Sequence, residues 1–456
     1  MNIVYLTADL GVPVLGHKGA SVHVREFATA LVKLRHHVVL VVANRGEGEP
    51  PPLGIEIRDL APAERLNHPN LRDRKSITAH RSDEQVRARE HAALRVNGMV
   101  RRALEELHGE RRIDLLYERY SLWSHAGARF ARAARVPFVL EVNSPLVREQ
   151  AAYRTLVSAE TARRIERYVL RAADRVVAVS GELAQWVGAC IGGHDKVLVL
   201  PNGVDLDLFA GLKTGPPSDT FVIGFLGSLK PWHGVDVLID AFGRIAAEDP
   251  ACCLLIVGDG PERGSIERTI AGCGLQSRVT LTGAVPRCRI PGELARMDVA
   301  VAPYPSIDEF YFSPLKVIEY MAAGRPIVAS RIGQVASLLG DGETALLAKA
   351  GDAADLAAKI RVLREAPALA ARLGRNARRE AFEHHGWTKK AEIVLKAVAA
   401  FGADRARSEN DAARPARRSA RAASVDHASA LSREVGRQLE RSRGTALEVF
   451  KHARDN

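Results

Sequence analysis

Cysteine is scarce in this sequence, and its spacing argues against the protein classes that depend on it. Five of the 456 residues are cysteine, an odd number. No pair has the C-x-x-C spacing of a zinc site, and Cys252 and Cys253 are adjacent within an apolar run. This usage predicts free core thiols in a reducing compartment, and it disfavours a disulfide scaffold or a structural metal site.

Long hydrophobic runs are also missing. No segment approaches the roughly 18 apolar residues of a membrane-spanning helix. The opening segment, residues 1–11, lacks a basic prefix and has too short an apolar region for a secretory signal, so it predicts a buried strand instead. We therefore expect a cytoplasmic protein, with peripheral contact at the inner face of a membrane as an open alternative.

Acidic residues are outnumbered by basic ones. The chain has 54 Asp and Glu against 65 Lys and Arg, a formal net charge of +11. Such a balance favours a polyanionic partner, or it serves solubility alone. No helix-turn-helix signature, zinc knuckle or aromatic-basic motif accompanies it, so nucleic acid is disfavoured as a partner and an anionic membrane surface stays open.

Short apolar runs rich in β-branched residues alternate with amphipathic stretches, the pattern of a parallel sheet with crossover helices. Predicted strands of the first half are residues 2–7, 37–42, 115–117, 138–142, 175–179 and 197–200. Those of the second half are residues 221–225, 252–257, 279–281, 299–302 and 326–329. Predicted helices include residues 21–34, 82–107, 235–247, 265–273, 290–297 and 315–323. The fold class is therefore α/β, with two doubly wound, Rossmann-like domains facing each other across a cleft.

A turn sequence, Pro201-Asn202-Gly203-Val204-Asp205, separates the two halves. We assign residues 1–205 to the first domain and residues 206–385 to the second. Residues 386–402 are predicted to form a closing helix that packs back toward the first domain. Residues 403–456 form an Arg- and Ala-rich tail, for which disorder and a docking helix at 430–453 are both open.

The loop between the first strand and the first helix contains Gly19, where a backbone without a side chain allows close approach to a ligand. The helix that follows offers free N–H groups and a positive dipole end to an anion. The full G-x-G-x-x-G fingerprint is absent, so a dinucleotide site is disfavoured. A ligand loop and a simple tight turn are equally good interpretations of this segment alone.

The second half carries a stronger set of phosphate-type signals. Residues 227–234 form a Gly-rich turn with a cation, Lys230, before a predicted helix. Another turn, Gly258-Asp259-Gly260, closes the next strand. In residues 312–319, Ser313 is the predicted N-cap and Pro314 the first helical residue. Lys316 adds charge there and Glu319 follows one turn later; a purely structural helix cap is the alternative.

At this point the chain resembles the family 4 retaining glycosyltransferases of the GT-B fold, over about residues 1–400. The resemblance depends on motifs in the right order: the Gly227–Gly234 loop, Gly258-Asp259-Gly260-Pro261 and Ser313-Pro314-Leu315-Lys316-x-x-Glu319. Pro201-Asn202-Gly203-Val204-Asp205 and, in the first half, Lys18-Gly19-Ala20-x-x-His23 and Tyr117-Glu118-Arg119 are also similar to that family.

The resemblance implies roles for individual positions. Lys230, Lys316 and Glu319 would carry catalysis, with Glu319 on the donor ribose. Val285 would contact the nucleobase. The remaining donor-binding positions would be Gly19, Gly227, Ser228, His233, Gly258, Asp259, Gly260, Tyr311, Phe312, Ser313, Pro314 and Leu315. The acceptor side would use His23, Glu118, Arg119 and Asn143, although a structural role for His23 is as good an interpretation.

Three positions depart from the family pattern. Tyr311 stands where the family carries the first of two paired glutamates. Ser228 and His233 replace its Arg and Lys phosphate clamp, which leaves Lys230 and Lys316 as the cations. Asn143 replaces a histidine of the first domain, and an amide cannot act as a base.

The implied reaction is transfer of a hexose-like sugar from a nucleoside diphosphate sugar to a hydroxyl, with retention and without a metal or other cofactor. Glycan, glycolipid or exopolysaccharide biosynthesis would be its setting, with a glycan, a lipid-linked compound or a small molecule as acceptor. Two alternatives stay open: a nucleotide-sugar epimerase of the same fold, and a basic scaffold protein without turnover.

Overall fold

Two parallel β-sheets form the centre of the described chain. A computed structural model describes residues 1–16, 18–48, 54–60, 82–212 and 220–412, with side chains described up to Phe401. Residues Met1–Gly402 cluster into one unit, so contacts between the two sheets belong to a single body. The expectations for the tail at 413–456 lie outside the described residues.

The first sheet has seven strands in the order β3-β2-β1-β4-β5-β6-β7. They are β1 (Asn2–Thr7), β2 (His37–Val42), β3 (Glu56–Asp59), β4 (Leu115–Arg119), β5 (Phe138–Val142), β6 (Arg175–Ala178) and β7 (Val197–Val199). All neighbouring strands pair in parallel. The central strands are apolar along their length because helices cover both faces of the sheet.

The helices that accompany this sheet begin with α1, which follows β1 directly. They are α1 (Gly19–Lys33), α2 (Asp83–Glu110), α3 (Ala126–Ala134), α4 (Leu146–Tyr153), α5 (Ala159–Ala172) and α6 (Gly181–Ile191). The charged helix predicted within residues 82–107 is confirmed as α2. Its start is fixed by a capping box, in which Ser82 and Gln85 satisfy each other's backbone N–H groups.

The second sheet has six strands in the order β10-β9-β8-β11-β12-β13. They are β8 (Phe221–Leu226), β9 (Cys252–Val257), β10 (Val279–Leu281), β11 (Val299–Ala302), β12 (Ile327–Arg331) and β13 (Leu346–Lys349). Its helices, and those that flank it, are α7 (Asp207–Ala210), α8 (Val235–Glu248), α9 (Arg263–Gly272), α10 (Ile290–Ala295), α11 (Leu315–Ala322), α12 (Gly333–Leu338), α13 (Ala353–Glu365), α14 (Pro367–His384) and α15 (Trp387–Ala412). The predicted pair of Rossmann-like sheets is therefore confirmed.

Strand order places the candidate site in each sheet. In the first sheet the order reverses between β1 and β4, and in the second between β8 and β11. Loops at the carboxyl ends of parallel strands diverge at such a reversal and leave a crevice where ligands bind. The Gly-rich loops singled out in the sequence follow β1, β8 and β9, so all of them lie at these edges.

Helix α15 packs against the first sheet, although it follows the second sheet in the chain. Trp387, Ala391, Val394 and Val398 are buried in one cluster with core residues of β1, α1 and β4. A backbone bond from Trp387 N–H to the Val204 carbonyl, 3.2 Å, fixes the start of the helix. The domain limits at residues 205 and 385 stay predictions.

No helix among the described residues has the length and apolar character that a bilayer crossing requires.

Trp387 is expected to anchor α15 to the first sheet. It is 5% exposed and lies 4.7 Å from the His23 ring and 6.1 Å from the Phe27 ring, between ring centroids. We expect Trp387→Ala to lower the free energy of unfolding by about 3–5 kcal/mol, because it leaves a large cavity. Thermal and denaturant unfolding would measure this.

Trp232 provides the matched control, since 43% of it is exposed. Its replacement by alanine should change stability by no more than about 0.5 kcal/mol. Equal effects of the two substitutions would contradict the anchoring role of Trp387.

Candidate active site

Lys316 lies beneath the Gly-rich loop that follows β8. Its ammonium is 4.1 Å from the ring centroid of Phe225 and 5.3 Å from that of Tyr304. A Cβ atom at Gly227 would stand 2.8 Å from Lys316 Nζ, and the φ of Gly227 is 146°, a backbone conformation that favours glycine. The residue is 7% exposed and its ammonium has no hydrogen-bond partner in the described part of the chain. Burial lowers the pKa of Lys316 to about 7.

In the rest of this loop the His233 side chain packs against the backbone of Ser228. The His233 Nδ1 contacts the Ser228 carbonyl, which orients the ring. Burial, and next the charge of Lys316, lower the pKa of His233 to about 3, so the imidazole is neutral at physiological pH. The Lys230 ammonium lies 5.4 Å from the centroid of Trp232. Lys230 in the loop and Lys316 beneath it are the two lysines at this position, and their part in catalysis stays a prediction.

The prediction that Ser313 caps α11 is wrong. Pro314 occupies the N-cap position, and the helix begins at Leu315, the start predicted for residues 315–323. The Ser313 hydroxyl instead accepts a 2.9 Å hydrogen bond from Asn202 N–H, and the Asn202 side chain donates to the Ser313 carbonyl at 2.7 Å. Because no side chain caps α11, its first N–H groups are left to water or a ligand.

Residues 311–315 lie against the first domain. A Cβ atom at Gly19 would stand 3.5 Å from Leu315 Cδ1, so the first residues of α1 and α11 are close neighbours. Tyr311 is buried in a cluster of first-sheet residues, Phe312 packs against the same cluster, and the Tyr311 hydroxyl donates to Glu149 of α4. Two helix N-termini therefore lie near each other, and such termini favour an anion.

Glu319 contacts Arg287, which is not among the predicted site residues. Arg287 Nη1 contacts Glu319 Oε1, and Arg287 Nε donates to Glu26 Oε1 of α1 at 2.7 Å. Burial raises the pKa of Glu26 to about 7, and the charge of Arg287 opposes that rise. Residues far apart in the chain are joined here, and no local motif marks the pairing.

A second missed residue, Glu141, organises the acceptor side. Its carboxylate accepts hydrogen bonds from Tyr117 at 2.6 Å and Arg119 at 2.9 Å, contacts His23 Nε2 at 2.8 Å and is also contacted by the Asn143 amide. Burial opposes its ionisation, but His23 and Arg119 outweigh that effect and lower the pKa of Glu141 to about 2. Its position at the carboxyl end of β5, beside Asn143, was the available signal.

Glu118 does not belong to the acceptor side, which corrects the prediction. Successive side chains of a strand point to opposite faces, so Glu118 points away from its neighbours Tyr117 and Arg119. Its carboxyl accepts a hydrogen bond from Ser124 at 2.6 Å and packs against Gly127, where an added Cβ atom would be only 2.0 Å from Glu118 Oε2. Burial raises the pKa of Glu118 to about 7, with the Ser124 hydroxyl opposing.

The remaining predicted positions lie in loops at the carboxyl edge of the second sheet. Gly258 has a φ of 141°, and a Cβ atom there would meet the Gly227 carbonyl at 1.9 Å. Asp259 accepts from Gly260 N–H at 2.7 Å. Val285 follows Gly283, whose carbonyl pairs with Gly258 N–H at 3.0 Å. The structure thus joins the loops at 227, 258 and 283, while the roles of their residues stay predictions.

Two Rossmann-like sheets, with a buried lysine under a glycine loop near a helix N-terminus, have the architecture of the GT-B fold. Comparison with protein families agrees: residues 17–208 match the family described as "Glycosyltransferase Family 4", and residues 220–365 match "Glycosyl transferases group 1". The chain belongs to these glycosyltransferases.

Curated relatives carry the same activity in their names. The chain is 30% identical over 266 residues to a 2-deoxystreptamine glucosyltransferase of Streptomyces kanamyceticus, covering 54% of this chain and 66% of the relative, just under two thirds of its length. It is 28% identical over 437 residues to a D-inositol 3-phosphate glycosyltransferase of Kineococcus radiotolerans, covering 88% of this chain and 94% of that one.

A solved structure shares the fold. Anabaena HepE, in complex with UDP-glucose, superposes with a TM-score of 0.63 at 20% identity, covering 88% of this chain and all of the other.

The buried Glu118 is expected to make stability fall as pH rises. Its pKa of about 7 lies above the ordinary value of 4.5, so the native state holds a proton that the unfolded chain has lost between these pH values. The stability that this proton contributes is present below pH 4.5 and lost by pH 7. Relative to wild type, Glu118→Gln should gain up to about 3 kcal/mol between these limits.

Unfolding at a series of pH values would test this, with Glu365→Gln, an exposed position, as the control. A difference between wild type and Glu118→Gln that does not vary with pH would contradict the assignment.

Glu141 is expected to have the opposite pH dependence. Because its pKa is about 2, its ionised contacts stabilise the fold above pH 4.5, and this contribution is lost as pH falls toward 2. Glu141→Gln leaves the Arg119 guanidinium without its buried counter-charge and should cost about 3–5 kcal/mol at pH 7. The exposed Arg101–Glu105 pair, 2.9 Å, gives the control: Glu105→Gln should cost less than about 1 kcal/mol. Equal losses in the two variants would refute the role of Glu141.

Proposed function

We propose that this glycosyltransferase moves a sugar from a nucleoside diphosphate sugar to a hydroxyl acceptor, with retention of configuration and without a metal. The observation that carries the proposal is the ammonium of Lys316, buried without a hydrogen-bond acceptor beside the uncapped N-terminus of α11. A buried cation without a partner is costly, and a diphosphate would satisfy it.

The donor phosphates would lie between the two helix N-termini. Gly19 and Gly227 allow the backbone to approach, and Lys316 and Lys230 supply charge. Negative charge grows on the leaving diphosphate as its bond to the anomeric carbon breaks, so donors and cations fixed at that point lower the barrier most. Glu319, one turn along α11, would accept hydrogen bonds from the ribose. Anabaena HepE binds UDP and UDP-glucose, which makes UDP the first nucleotide to test.

Retention is proposed through attack from the face that the diphosphate leaves. The acceptor oxygen forms the new bond to the anomeric carbon while the bond to the phosphate oxygen breaks, and the acceptor proton passes to a phosphate oxygen. A double displacement would instead need a free carboxylate as nucleophile. Glu141, the buried carboxylate nearest the acceptor-side residues His23 and Asn143, is already held by several donors.

The acceptor is proposed to be a polyhydroxylated compound. The names of two relatives contain such ring compounds, D-inositol 3-phosphate and 2-deoxystreptamine. His23, Arg119 and Asn143 lie together on the first domain and offer polar contacts to hydroxyl groups. We place the reaction in the cytoplasm, where free thiols persist, and propose membrane contact only for a lipid-linked acceptor.

Binding of UDP, GDP and ADP, measured by calorimetry in EDTA, tests this proposal. We expect one nucleotide to bind, and Lys316→Met to weaken its binding by roughly 10- to 100-fold, the contribution of a charge-assisted hydrogen bond. Glu319→Ala should weaken binding of the whole nucleotide but not of inorganic pyrophosphate, since it removes only a ribose contact.

Lys359→Met, on α13, is the matched control and should bind like wild type. Absence of binding by any nucleotide would sink the transferase proposal and leave the scaffold alternative. Nucleotide release that requires an added acceptor would separate a transferase from an epimerase.

A further inference from the structure

Arg287 bridges the two domains at the predicted ribose carboxylate. It lies in a single 3₁₀ turn, Arg287–Arg289, between β10 and α10. Its Nη1 contacts Glu319 Oε1 of α11, while Nε and Nη2 contact Glu26 Oε1 of α1 at 2.7 and 2.5 Å. The side chains of Glu319, Glu26 and Arg287 are 8%, 12% and 25% exposed. The bridge is therefore largely withdrawn from water, where such contacts are strong.

Glu26 is itself held in place. Its second oxygen, Oε2, accepts from the indole N–H of Trp387, at the start of α15. One carboxylate thus receives the guanidinium at one oxygen and an indole at the other. Since a guanidinium is planar, with donors in a fixed fork, two of its nitrogens on Glu26 determine where the third points. That third nitrogen points at Glu319.

We infer that Arg287 is a positioning residue for Glu319, and that Glu26 acts through Arg287 to fix the ribose-binding carboxylate from the opposite domain. Arg287 takes Oε1 of Glu319 and so leaves Oε2 directed toward the ribose hydroxyls. The inference rests on the proposed nucleotide-dependent function and adds a link between nucleoside recognition and α1, which carries both Gly19 and Glu26.

For the variant Glu26→Gln, the positioning role and simple electrostatics predict opposite changes in nucleotide affinity. Glu26→Gln removes a negative charge beside a site for an anionic ligand, so simple electrostatics makes a nucleoside diphosphate bind more tightly. If Glu26 acts by holding Arg287 on Glu319, the same change weakens binding. The sign of the effect therefore separates positioning from net charge.

The experiment compares UDP, 2′-deoxy-UDP and inorganic pyrophosphate, binding to the full chain at about pH 7.5. Burial raises the pKa of Glu26 and lowers the pKa of Lys316, each to about 7, so at this pH Glu26 is mostly ionised while part of Lys316 keeps its charge. We expect Glu26→Gln and Arg287→Lys each to weaken UDP binding about 10-fold. We expect the preference for UDP over 2′-deoxy-UDP, about 10-fold in wild type, to fall below about 3-fold in both variants, with pyrophosphate affinity unchanged. A merely structural change would move all three ligands together.

Arg289→Lys, an exposed neighbour with 65% of its side chain accessible, is the matched control and should retain the wild-type preference. Melting temperatures within a few degrees of wild type would show that the variants fold. Tighter UDP binding in Glu26→Gln or Arg287→Lys, or an undiminished ribose preference, would overturn the inference while the proposed function stood. If the wild type bound GDP or ADP instead, the same series would use that nucleotide. Failure of the wild type to bind any of the three nucleotides would contradict both this inference and the proposed function.

Discussion

The amino group of Lys316 lies between the rings of Phe225 and Tyr304, and the Gly227 loop covers it. A charge withdrawn from water must find a partner or change its protonation. Lys316 has neither a carboxylate nor a carbonyl within hydrogen-bond distance among the described residues. Glu141 shows the contrasting case, because several donors surround its carboxylate and hold it ionised. The partners of Glu141 hold it ionised, whereas burial without a partner lowers the pKa of Lys316 to about 7, so a bound anion would be needed to hold this ammonium fully charged.

The topology explains why the glycine-containing loops and Lys316 lie close together. Parallel strands bring their carboxyl ends to one edge, and the reversals beside β1 and β8 open that edge for loops. Gly19 and Leu315 then face each other because each lies at the first turn of a helix that begins at such an edge. A side chain at Gly227 would collide with Lys316, and one at Gly258 with the Gly227 backbone. The glycines are thus required by the close approach of three loops, which is also what a bound phosphate needs.

Much of the fold follows from local sequence, because buried parallel strands are continuous apolar runs. Strands at 2–7, 37–42, 138–142 and 252–257 are predicted to the residue. Strand β3 was missed because its sequence, Glu-Ile-Arg-Asp, is polar and half-exposed at the sheet edge. The strand β13 and helices α13 and α14 were also missed, although Asp352 caps the start of α13 and Pro367 lies in the first turn of α14, and both are ordinary helix-start signals. For Glu118, strand alternation was available and would have separated it from Tyr117 and Arg119.

The site was less predictable than the fold because its decisive contacts join distant residues. Arg287 meets Glu26 across 261 positions, and Asn202 meets Ser313 across 111. A serine before a helix is an ordinary N-cap in local terms. Here the hydroxyl is drawn to Asn202 instead, since the first domain's chain passes within reach. Local rules assign each residue its commonest partner, and they fail where tertiary contact offers a better one.

The same cross-domain contacts bear on how a donor enters. The Tyr311 hydroxyl donates to Glu149, Gln334 donates to the Val179 carbonyl at 2.7 Å, Asn202 donates to the Ser313 carbonyl, and Arg287 donates to Glu26, so several separate polar contacts join the two domains. The neutral hydrogen bonds of Gln334 and Asn202 each contribute about 1 kcal/mol net, because water replaces them on opening, whereas the contacts to the Glu149 and Glu26 carboxylates contribute more. A few such contacts hold the domains together without preventing their separation, whereas a continuous apolar interface would. Tyr311, Phe312 and Leu315 are the apolar part of this contact, since all three pack against first-sheet residues. Opening wide enough to admit a nucleotide would therefore expose these three side chains, and their return to the first sheet would favour closure over the bound donor.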